Sequence, residues 1–333
     1  MEHKVNELHV PNFSGPIGPH LLGFLQEKRA VGYKYCSEAS RLAQIDKLSR
    51  VLNINSNALP LNLVEEWCEK TPNESNKTWR SRITVMNQLI DYFIAHDLET
   101  HKTSIAPPQR EQSKFVPHIF TKQELRRIFF AADHLKISAA SPARNDTASL
   151  LFRILYACGL RISEALNLTM DKVDNEAGIF TIVEGKNKTE RYVPMALPLI
   201  AQCRSYCEKY RLYAMAGEPL FAAPDGGHYS KSSITHMWSQ ILHDAKISKT
   251  DTGPRIHDFR HTCAVGCLKK WIREGKDLNA MLPILSAYLG HKNLAATQRY
   301  LRLTAEVYPE VTSMLEMHFG GIIPQGGLVC AEE

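Results

Sequence analysis

The chain has 333 residues, of which 44% are hydrophobic and 23% are charged, a composition typical of folded globular proteins and not of disordered ones. Its 40 lysines and arginines exceed its 35 aspartates and glutamates, and the net charge of +5 permits a polyanionic partner without requiring one. The N-terminus lacks an apolar signal-peptide core and no run of about 18 uncharged apolar residues occurs, so neither secretion nor a membrane span is predicted.

The eight cysteines show no CxxC spacing, which disfavours a disulfide framework. Cys203 and Cys207 lie four residues apart, as do Cys263 and Cys267, so each pair shares one helical face. A closed zinc site needs four ligands, and each of these faces supplies two. The cysteines are therefore expected to be small buried hydrophobic residues, and no metal is predicted.

Apolar residues recur at helical spacing through the first hundred residues. One predicted helix has the apolar face Leu42, Ile45, Leu48 and Leu52. A longer helix is predicted for NKTWRSRITVMNQLIDYFIAHDL, with the apolar face Trp79, Ile83, Met86, Ile90 and Phe93. Its exposed side is expected to carry the cations Lys77, Arg80 and Arg82. These cations suit either a phosphate backbone or an ordinary solvated surface, and the pattern alone favours neither.

A change of composition marks the middle of the chain. The segment TSIAPPQREQSKFVPH, residues 103–118, has three prolines and no apolar period, so it is interpreted as an extended linker. A helix is predicted directly after it, because Thr121 and Glu124 form a capping-box pattern. Beyond further helices, GIFTIVEGKNKTERYVPM has two β-branched runs around a polar turn, which predicts a β-hairpin. The expected fold class is mainly α, with a small antiparallel β-sheet in the C-terminal domain.

The second half of the chain places cations in short, distinctive contexts. These are GLRISE around Arg161, the hairpin EGKNKTERYVP around Lys186, HDFRHT with His257 and Arg260, and LGHKN with His291. Tyr300 follows nine residues after His291. A nucleotide-binding P-loop is not predicted, because GKNKT lacks the upstream glycine at the required spacing. The sequence also has no HExxH motif, so these cations and the tyrosine are the candidates for chemistry.

In these boxes the chain resembles the tyrosine recombinases, the phage integrase family of site-specific DNA recombinases. The family's Gly-Leu-Arg-Ile-Ser-Glu box matches residues 159–164, its His-x-x-Arg box matches 257–260, and its Leu-Gly-His box with a later tyrosine matches 289–300. Each box alone is a weak signal, whereas all of them in order around a basic hairpin are a strong one. The resemblance covers essentially the whole chain, and its specific part runs from about Ile119 to Met317.

The resemblance implies a domain organisation and a set of partners. The expected ranges are an N-terminal lead (1–14), a helical core-binding domain that contacts DNA (15–102), the linker (103–118), a catalytic domain (119–318) and a C-terminal tail (319–333). The tail is expected to dock on a neighbouring protomer. The implied partners are double-stranded DNA at specific sites, three further copies of the chain in a homotetramer, and an accessory directionality factor. The resemblance implies no cofactor, no metal and no ATP, and a cytoplasmic, nucleoid-associated place in a bacterium.

The resemblance also implies the catalytic residues, which are Arg161, Lys186, His257, Arg260, His291 and the nucleophile Tyr300. The residues expected to contact DNA are the cations of the predicted N-terminal helix and of the hairpin: Lys77, Arg80, Arg82, Lys188 and Arg191. A phosphodiester attacked by tyrosine passes through a five-coordinate phosphorane, whose oxygens guanidiniums clamp without losing charge. Tyrosine has a pKa near 10, so forming phenolate at pH 7 costs about 4 kcal/mol, which a base and nearby cations must offset.

Proton transfers complete the expected chemistry. His257 would accept the phenol proton, His291 would donate a hydrogen bond to a non-bridging oxygen, and Lys186 would protonate the leaving 5′-oxygen. Alternatives remain open: Lys188 for Lys186, His261 for His257, Tyr288 or Tyr308 for Tyr300, and for Arg161 a simple i,i+3 pairing with Glu164.

The expected function is site-specific recombination for a mobile genetic element, by integration or excision. The alternatives are a resolvase-like recombinase, a type IB topoisomerase-like enzyme and a non-catalytic DNA-binding relative. The complete set of six catalytic candidates disfavours the last of these.

Overall fold

The structure, a computed structural model, describes residues 9–101, 106–109, 116–137, 139–184, 189–250, 253–291, 297–298 and 300. The chain divides into two compact units, unit 1 (Met1–Lys114) and unit 2 (Phe115–Glu333). Parts of the expected linker and the whole expected tail lie outside the described residues. Among the helices that are described, none has both the length and the hydropathy needed to cross a membrane.

The described part of unit 1 is built from helices. They are α1 (Gly18–Ala30), α2 (Cys36–Val51), α3 (Leu61–Cys68) and α4 (Asn76–Ala95). Helix α4 begins where the Ser75 side chain accepts a hydrogen bond from the Thr78 N–H. Its predicted apolar face is confirmed, because Ile83, Met86, Ile90 and Phe93 are buried and Trp79 packs against the same core. Full burial of each such side chain contributes about 1.5–3 kcal/mol, so this face is what holds α4 in place.

Helices also dominate the described part of unit 2. They are α5 (Lys122–Asp133), α6 (Arg144–Ala157), α7 (Ile162–Leu166), α8 (Leu197–Tyr210), α9 (Lys231–Asp244), α10 (Asp258–Arg273) and α11 (Leu278–Leu289). The predicted capping box is confirmed: the Thr121 hydroxyl accepts from the Glu124 N–H at 3.2 Å, and the Glu124 carboxylate accepts from the Thr121 N–H at 2.8 Å. These reciprocal bonds fix the start of α5.

A small antiparallel sheet of order β1-β2-β3 interrupts the helices of unit 2. Its strands are β1 (Val173–Asp174), β2 (Ile179–Glu184) and β3 (Thr189–Pro194). Strands β2 and β3 form the predicted hairpin, in register from Ile179 opposite Pro194 to Glu184 opposite Thr189. The hairpin loop, residues 185–188, lies outside the described residues. The expected fold class, mainly α with a small antiparallel sheet, is confirmed.

Aromatic rings pack around Phe259 of α10 in the core of unit 2. The Phe259 ring centroid lies 4.9 Å from that of Phe120, 5.3 Å from that of Trp238 and 5.8 Å from that of Phe152. Such ring pairs contribute about 0.5–1.5 kcal/mol each beyond the area that they bury. Because Arg260 is the next residue, this packing anchors the turn of α10 from which the Arg260 side chain extends.

Candidate active site

The C-terminus of α11 is the point on which several predicted site residues converge. Gly290 ends the helix in the left-handed region, with φ 67° and ψ 50°. The Gly290 N–H donates to the Ala287 carbonyl, and the His291 N–H donates to the Ser286 carbonyl, both at 3.0 Å. This Schellman pattern satisfies two of the carbonyls that a helix end leaves without intrahelical partners.

Arginines from three other segments satisfy the next three carbonyls. Arg191 Nε of β3 donates to the Tyr288 carbonyl at 3.1 Å. Arg260 Nη2 of α10 donates to the Leu289 carbonyl at 2.5 Å, and Arg161 Nη2, just before α7, donates to the Gly290 carbonyl at 2.8 Å. Cations are favoured here by the negative end of the helix dipole. Three guanidiniums are thus gathered around the backbone that leads into His291.

Two of these guanidiniums share the Glu164 carboxylate. Glu164 Oε2 accepts from the Arg161 N–H at 2.9 Å and from Arg191 Nη2 at 2.8 Å, and Glu164 Oε1 accepts from Arg161 Nη1. Burial raises the pKa of Glu164, but the hydrogen bonds from Arg191 and Arg161 outweigh it and hold that pKa below its usual value. The i,i+3 pairing of Arg161 with Glu164 is therefore present, and the Arg161 side chain is still 37% exposed.

Arg260 is the most deeply buried of the three, with 1% of its surface exposed. Its Nη1 donates to the Gly159 carbonyl at 2.8 Å, and its charge acts on the Tyr300 phenol. Gly159 has a positive φ of 60°, and a Cβ there would lie 2.8 Å from Leu289 Cδ2 and 3.3 Å from Cys263 Sγ. The absence of a side chain thus lets the segment before Arg161 approach α10 and α11.

Histidine rings surround Tyr300. The ring centroid of His291 lies 5.8 Å from that of Tyr300 in a stacked arrangement, and that of His261 lies 5.4 Å away. The His257 ring lies 4.8 Å from the His261 ring, one helical turn earlier. His291 Nδ1 is 2.7 Å from the Thr297 hydroxyl. Both His257 and its sequence alternative His261 therefore belong to the cluster.

Desolvation and positive surroundings keep the predicted histidines neutral. Burial, followed by the charges of Arg260, Arg161 and Arg191, lowers the pKa of His291 to about 4. The His257 side chain reaches solvent, but surrounding protein removes part of its hydration. This desolvation, together with Arg260 and Arg161, lowers the pKa of His257 below 6.5. Both imidazoles are consequently uncharged near pH 7.

Tyr300 is buried in the protein, with 4% of its surface exposed. It packs against α10 and α11 residues that include Ala264, Leu268 and Leu285. Burial raises the pKa of the Tyr300 phenol, while the charge of Arg260 opposes that increase. The competing Tyr288 has its hydroxyl 3.5 Å from the Pro194 carbonyl, and burial likewise raises its pKa. Tyr308 lies outside the described residues.

The other expected residues lie in different surroundings. Lys186 and Lys188 lie outside the described residues. In unit 1, Lys77 is exposed and Arg80 Nη1 donates to the Pro108 carbonyl. The expected exposure of Arg82 is wrong: its side chain is 12% exposed, because it pairs with Glu74 and donates to carbonyls of the α3 end. Arg191 is also turned inwards, with 12% of its side chain exposed.

The shared use of Glu164 by Arg161 and Arg191 was not anticipated from the sequence. The i,i+3 spacing of Arg161 and Glu164 indicated that these two residues could pair. The contact of Arg191 with Glu164 could not be predicted, because it depends on where β3 lies beside α11. No group of three or more histidine, cysteine, aspartate or glutamate side chains in the described part of the chain is arranged to hold a metal ion.

Comparison with known proteins identifies the family. A family model of the phage integrases matches residues 118–306, more than half of the chain. The chain belongs to the phage integrase family. The match covers every box in which the resemblance to tyrosine recombinases was found, and that expectation is confirmed.

Relatives in this family match over most of the chain. A Sinorhizobium fredii protein, y4rB, whose name places it provisionally among the integrases and recombinases, is 28% identical over 301 residues, which cover 88% of this chain and 95% of that protein. The tyrosine recombinase XerA of Thermococcus kodakarensis is 29% identical over 227 residues, or 68% of this chain and 72% of that protein.

Solved structures of phage integrase relatives share the fold. The XerH site-specific recombinase bound to its difH substrate gives a TM-score of 0.57 at 21% identity and covers 88% of each chain. The Tn1549 transposon integrase in complex with transposon right end DNA gives a TM-score of 0.60 at 14% identity, over 90% of this chain and 99% of that one. At these identities the likeness establishes the common fold.

Proposed function

We propose that this member of the phage integrase family is a site-specific DNA recombinase that cleaves and rejoins strands through a covalent 3′-phosphotyrosine at Tyr300. The observation that carries the proposal is the position of the Tyr300 phenol, which lies within the influence of the Arg260 charge and whose ring stacks on that of His291, inside a cluster with Arg161 and His257. An anion bound among these guanidiniums would lie next to the phenol. A phosphodiester is the DNA group with that charge.

The proposed cleavage step exchanges one phosphorus–oxygen bond for another. The Tyr300 oxygen attacks phosphorus, a P–O bond to tyrosine forms, and the bond to the 5′-oxygen breaks. Arg161 and Arg260 stabilise the extra negative charge of the phosphorane, and their contacts with the α11 carbonyls hold both guanidiniums ready before DNA binds. Such preorganised donors avoid a reorganisation cost during the reaction.

Proton movements follow from the pKa directions. The Tyr300 phenol is protonated at neutral pH in the DNA-free protein, so the nucleophile becomes active only with a base and a phosphate in place. Neutral His257 accepts that proton. A Thr297 hydroxyl that donates to His291 Nδ1 leaves the His291 proton on Nε2, from which it donates to a non-bridging oxygen. Lys186, in the hairpin loop, supplies the proton for the leaving 5′-oxygen.

The proposal includes independence from metal ions and from ATP. Guanidiniums take the charge-stabilising part that a metal ion plays in other phosphoryl-transfer sites. The phosphotyrosine retains the free energy of the phosphodiester, so attack by another 5′-hydroxyl reseals the strand without ATP.

The proposed assembly is four copies on two DNA sites. Unit 1 contains the core-binding domain (15–102), and its cation Lys77 contacts the DNA backbone together with Lys188. The linker (103–118) connects it to the catalytic domain (119–318), and the tail (319–333) docks on a neighbouring protomer. The DNA complexes named for XerH and for the Tn1549 integrase support a double-stranded DNA partner.

The proposed biological role is integration or excision of a mobile genetic element, with an accessory factor that sets direction. The fold shared with a transposon integrase supports this role, and the relatives named Xer recombinases support a resolvase-like alternative.

A nicked suicide substrate tests the proposed chemistry. DNA from the flanks of the encoding element is incubated with the full chain in EDTA and without ATP, and covalent protein–DNA is measured on denaturing gels. The expected result is a band for the wild type that is lost in Tyr300→Phe and kept in Tyr288→Phe, which removes the competing hydroxyl. Loss in Tyr288→Phe alone would assign the nucleophile to Tyr288. No band from any variant, with DNA binding retained, would favour the non-catalytic relative.

A further inference from the structure

Arg191 joins three parts of the candidate site. Its backbone belongs to β3, where it lies opposite Ile182 of β2. Its Nε donates to the Tyr288 carbonyl at the end of α11, and its Nη2 donates to the Glu164 carboxylate of α7. One guanidinium therefore connects strand β3, the segment that leads into His291, and Glu164, which also pairs with Arg161.

This connection is mostly buried, unlike an ordinary surface ion pair. The side chain of Arg191 is 12% exposed and that of Glu164 is 10% exposed. A buried ion pair is stable only when its geometry is good and its remaining donors are also satisfied. The planar guanidinium suits this geometry, because it directs its Nε–H and Nη2–H groups to two acceptors in fixed directions. The ammonium group of a lysine cannot direct two N–H groups in this fixed planar arrangement.

The position of Arg161 depends on the same carboxylate. Glu164 accepts bonds from the Arg161 backbone and side chain at the same time as it accepts from Arg191. If Arg191 is removed, Glu164 loses one of its two cations and the Tyr288 carbonyl loses its donor. The next carbonyls, Leu289 and Gly290, are those that Arg260 and Arg161 hold. A shift at Tyr288 is thus passed along three consecutive residues to His291.

We propose that Arg191 is a positioning residue for strand cleavage, which sets Arg161 through Glu164 and sets His291 through the end of α11, and that it does not contact DNA. This inference rests on the proposed recombinase function and corrects the expectation that Arg191 is a DNA-contacting residue.

The test separates the rate of the chemical step from DNA affinity. Arg191→Gln and Arg191→Lys are compared with the wild type on the suicide substrate, under single-turnover conditions with saturating protein. Arg211→Gln is the matched control, because Arg211 is equally exposed at 12% and ion-paired, in its case with Glu218. Both Arg191 variants are expected to lose about 100-fold in cleavage rate, the scale of effect that a misplacement of about 1 Å produces. The control is expected to retain the wild-type rate.

DNA affinity distinguishes positioning from phosphate contact. For a positioning residue, the dissociation constant and its salt dependence stay as in the wild type. For a phosphate contact, the slope of log affinity against log salt falls by about 0.9. Lysine would then restore most of the activity, since it keeps the charge. Rescue by lysine together with a lower salt slope in Arg191→Gln overturns the proposal.

A double-mutant cycle tests the route through Glu164. Glu164→Gln is expected to slow cleavage, and the double variant with Arg191→Gln is expected to be slowed by less than the product of the two single effects, because the two residues share one contact while Arg191 also holds the Tyr288 carbonyl. Multiplying effects would mean independent roles and would overturn the route. Thermal melting of each variant reports folding, and Glu164→Gln with Arg191→Lys keeps the cycle measurable if Arg191→Gln does not fold.

The wild type serves as the reference for the proposed function itself. If it forms no covalent complex on a substrate that it binds, the recombinase proposal fails and the role of Arg191 fails with it. If it forms the complex and Arg191→Lys forms it at the same rate, the positioning role alone is wrong.

Discussion

Arginines gather in both units, but their surroundings differ. In unit 1, Arg82 pairs with Glu74, donates to the Trp67 and Glu69 carbonyls, and lies 4.9 Å from the centre of the Trp67 ring. In unit 2, Arg161 and Arg191 share the carboxylate of Glu164, and Arg260 lies in the same cluster with the imidazoles of His257 and His291. A structural arginine therefore differs from an anion-attracting site in how far nearby carboxylates neutralise its charge. The number of arginines matters less.

The largest expected effect concerns Arg161 in the cationic cluster. Arg161→Lys keeps the charge but loses the paired N–H groups that reach Glu164 and the Gly290 carbonyl. The single-turnover rate of covalent-complex formation is expected to fall about 100- to 1,000-fold, the scale for loss of one preorganised donor. Arg204→Lys, at an exposed arginine that bonds the Asn175 carbonyl, is the control. An unchanged rate in Arg161→Lys would mean that charge alone suffices there.

The next effect tests the structural arginine of unit 1. Arg82→Gln is expected to lower the free energy of unfolding by about 2 kcal/mol, because hydrogen bonds to charged groups contribute about 1.5–3 kcal/mol each. Urea unfolding of the full chain measures this change. The salt dependence of DNA binding should stay as in the wild type. A variant with normal stability and a reduced salt slope would return Arg82 to the DNA-contacting set.

A pH effect on stability is expected from His291. Its folded-state pKa of about 4 lies below the ordinary value of 6.5, so the unfolded chain binds more protons between those two values. Stability contributed by neutral His291 is therefore complete above about pH 6.5 and decreases as the pH falls towards 4. Melting temperatures over this range should decrease less steeply in His291→Gln than in the wild type. Equal slopes would contradict the lowered pKa.

The smallest effect belongs to Lys77, an exposed residue at the start of α4. Lys77→Gln is expected to reduce the salt slope of DNA binding by about 1 and to leave cleavage at saturation unchanged. Its unfolding free energy should change by less than about 0.5 kcal/mol, as for other surface substitutions. If the salt slope is unchanged, Lys77 belongs to an ordinary solvated surface.

Local features of the fold were predictable because the sequence encodes them over short distances. The period of Ile83, Met86 and Ile90 specified the buried face of α4, and the pair Thr121 and Glu124 specified the start of α5. The hairpin followed from two β-branched runs around a polar turn. The boxes likewise named Arg161, Arg260, His291 and Tyr300, which the fold brings into one cluster.

Contacts between residues that are far apart in the sequence could not be predicted. Arg191 and Tyr288 are 97 positions apart in the sequence, and their hydrogen bond requires β3 to lie beside the end of α11. The inward turn of Arg82 depends on Trp67 and Glu69 from a different helix end. Helical periodicity gives the direction of a Cα–Cβ bond, but it does not tell where the far end of a long, flexible arginine finds its acceptors.

Gly159 has a consequence for the genetics of the protein. Its positive φ disfavours any residue with a side chain, and a Cβ atom there would force Leu289 or Cys263 to shift. Every amino acid that a single-base change can introduce in place of glycine carries that atom. A screen of random mutations for loss of recombination is therefore expected to recover missense alleles at Gly159 beside those at Tyr300, although glycine supplies no side chain to the reaction. Such alleles would show that the geometry of the catalytic site also depends on residues that supply no functional group to it.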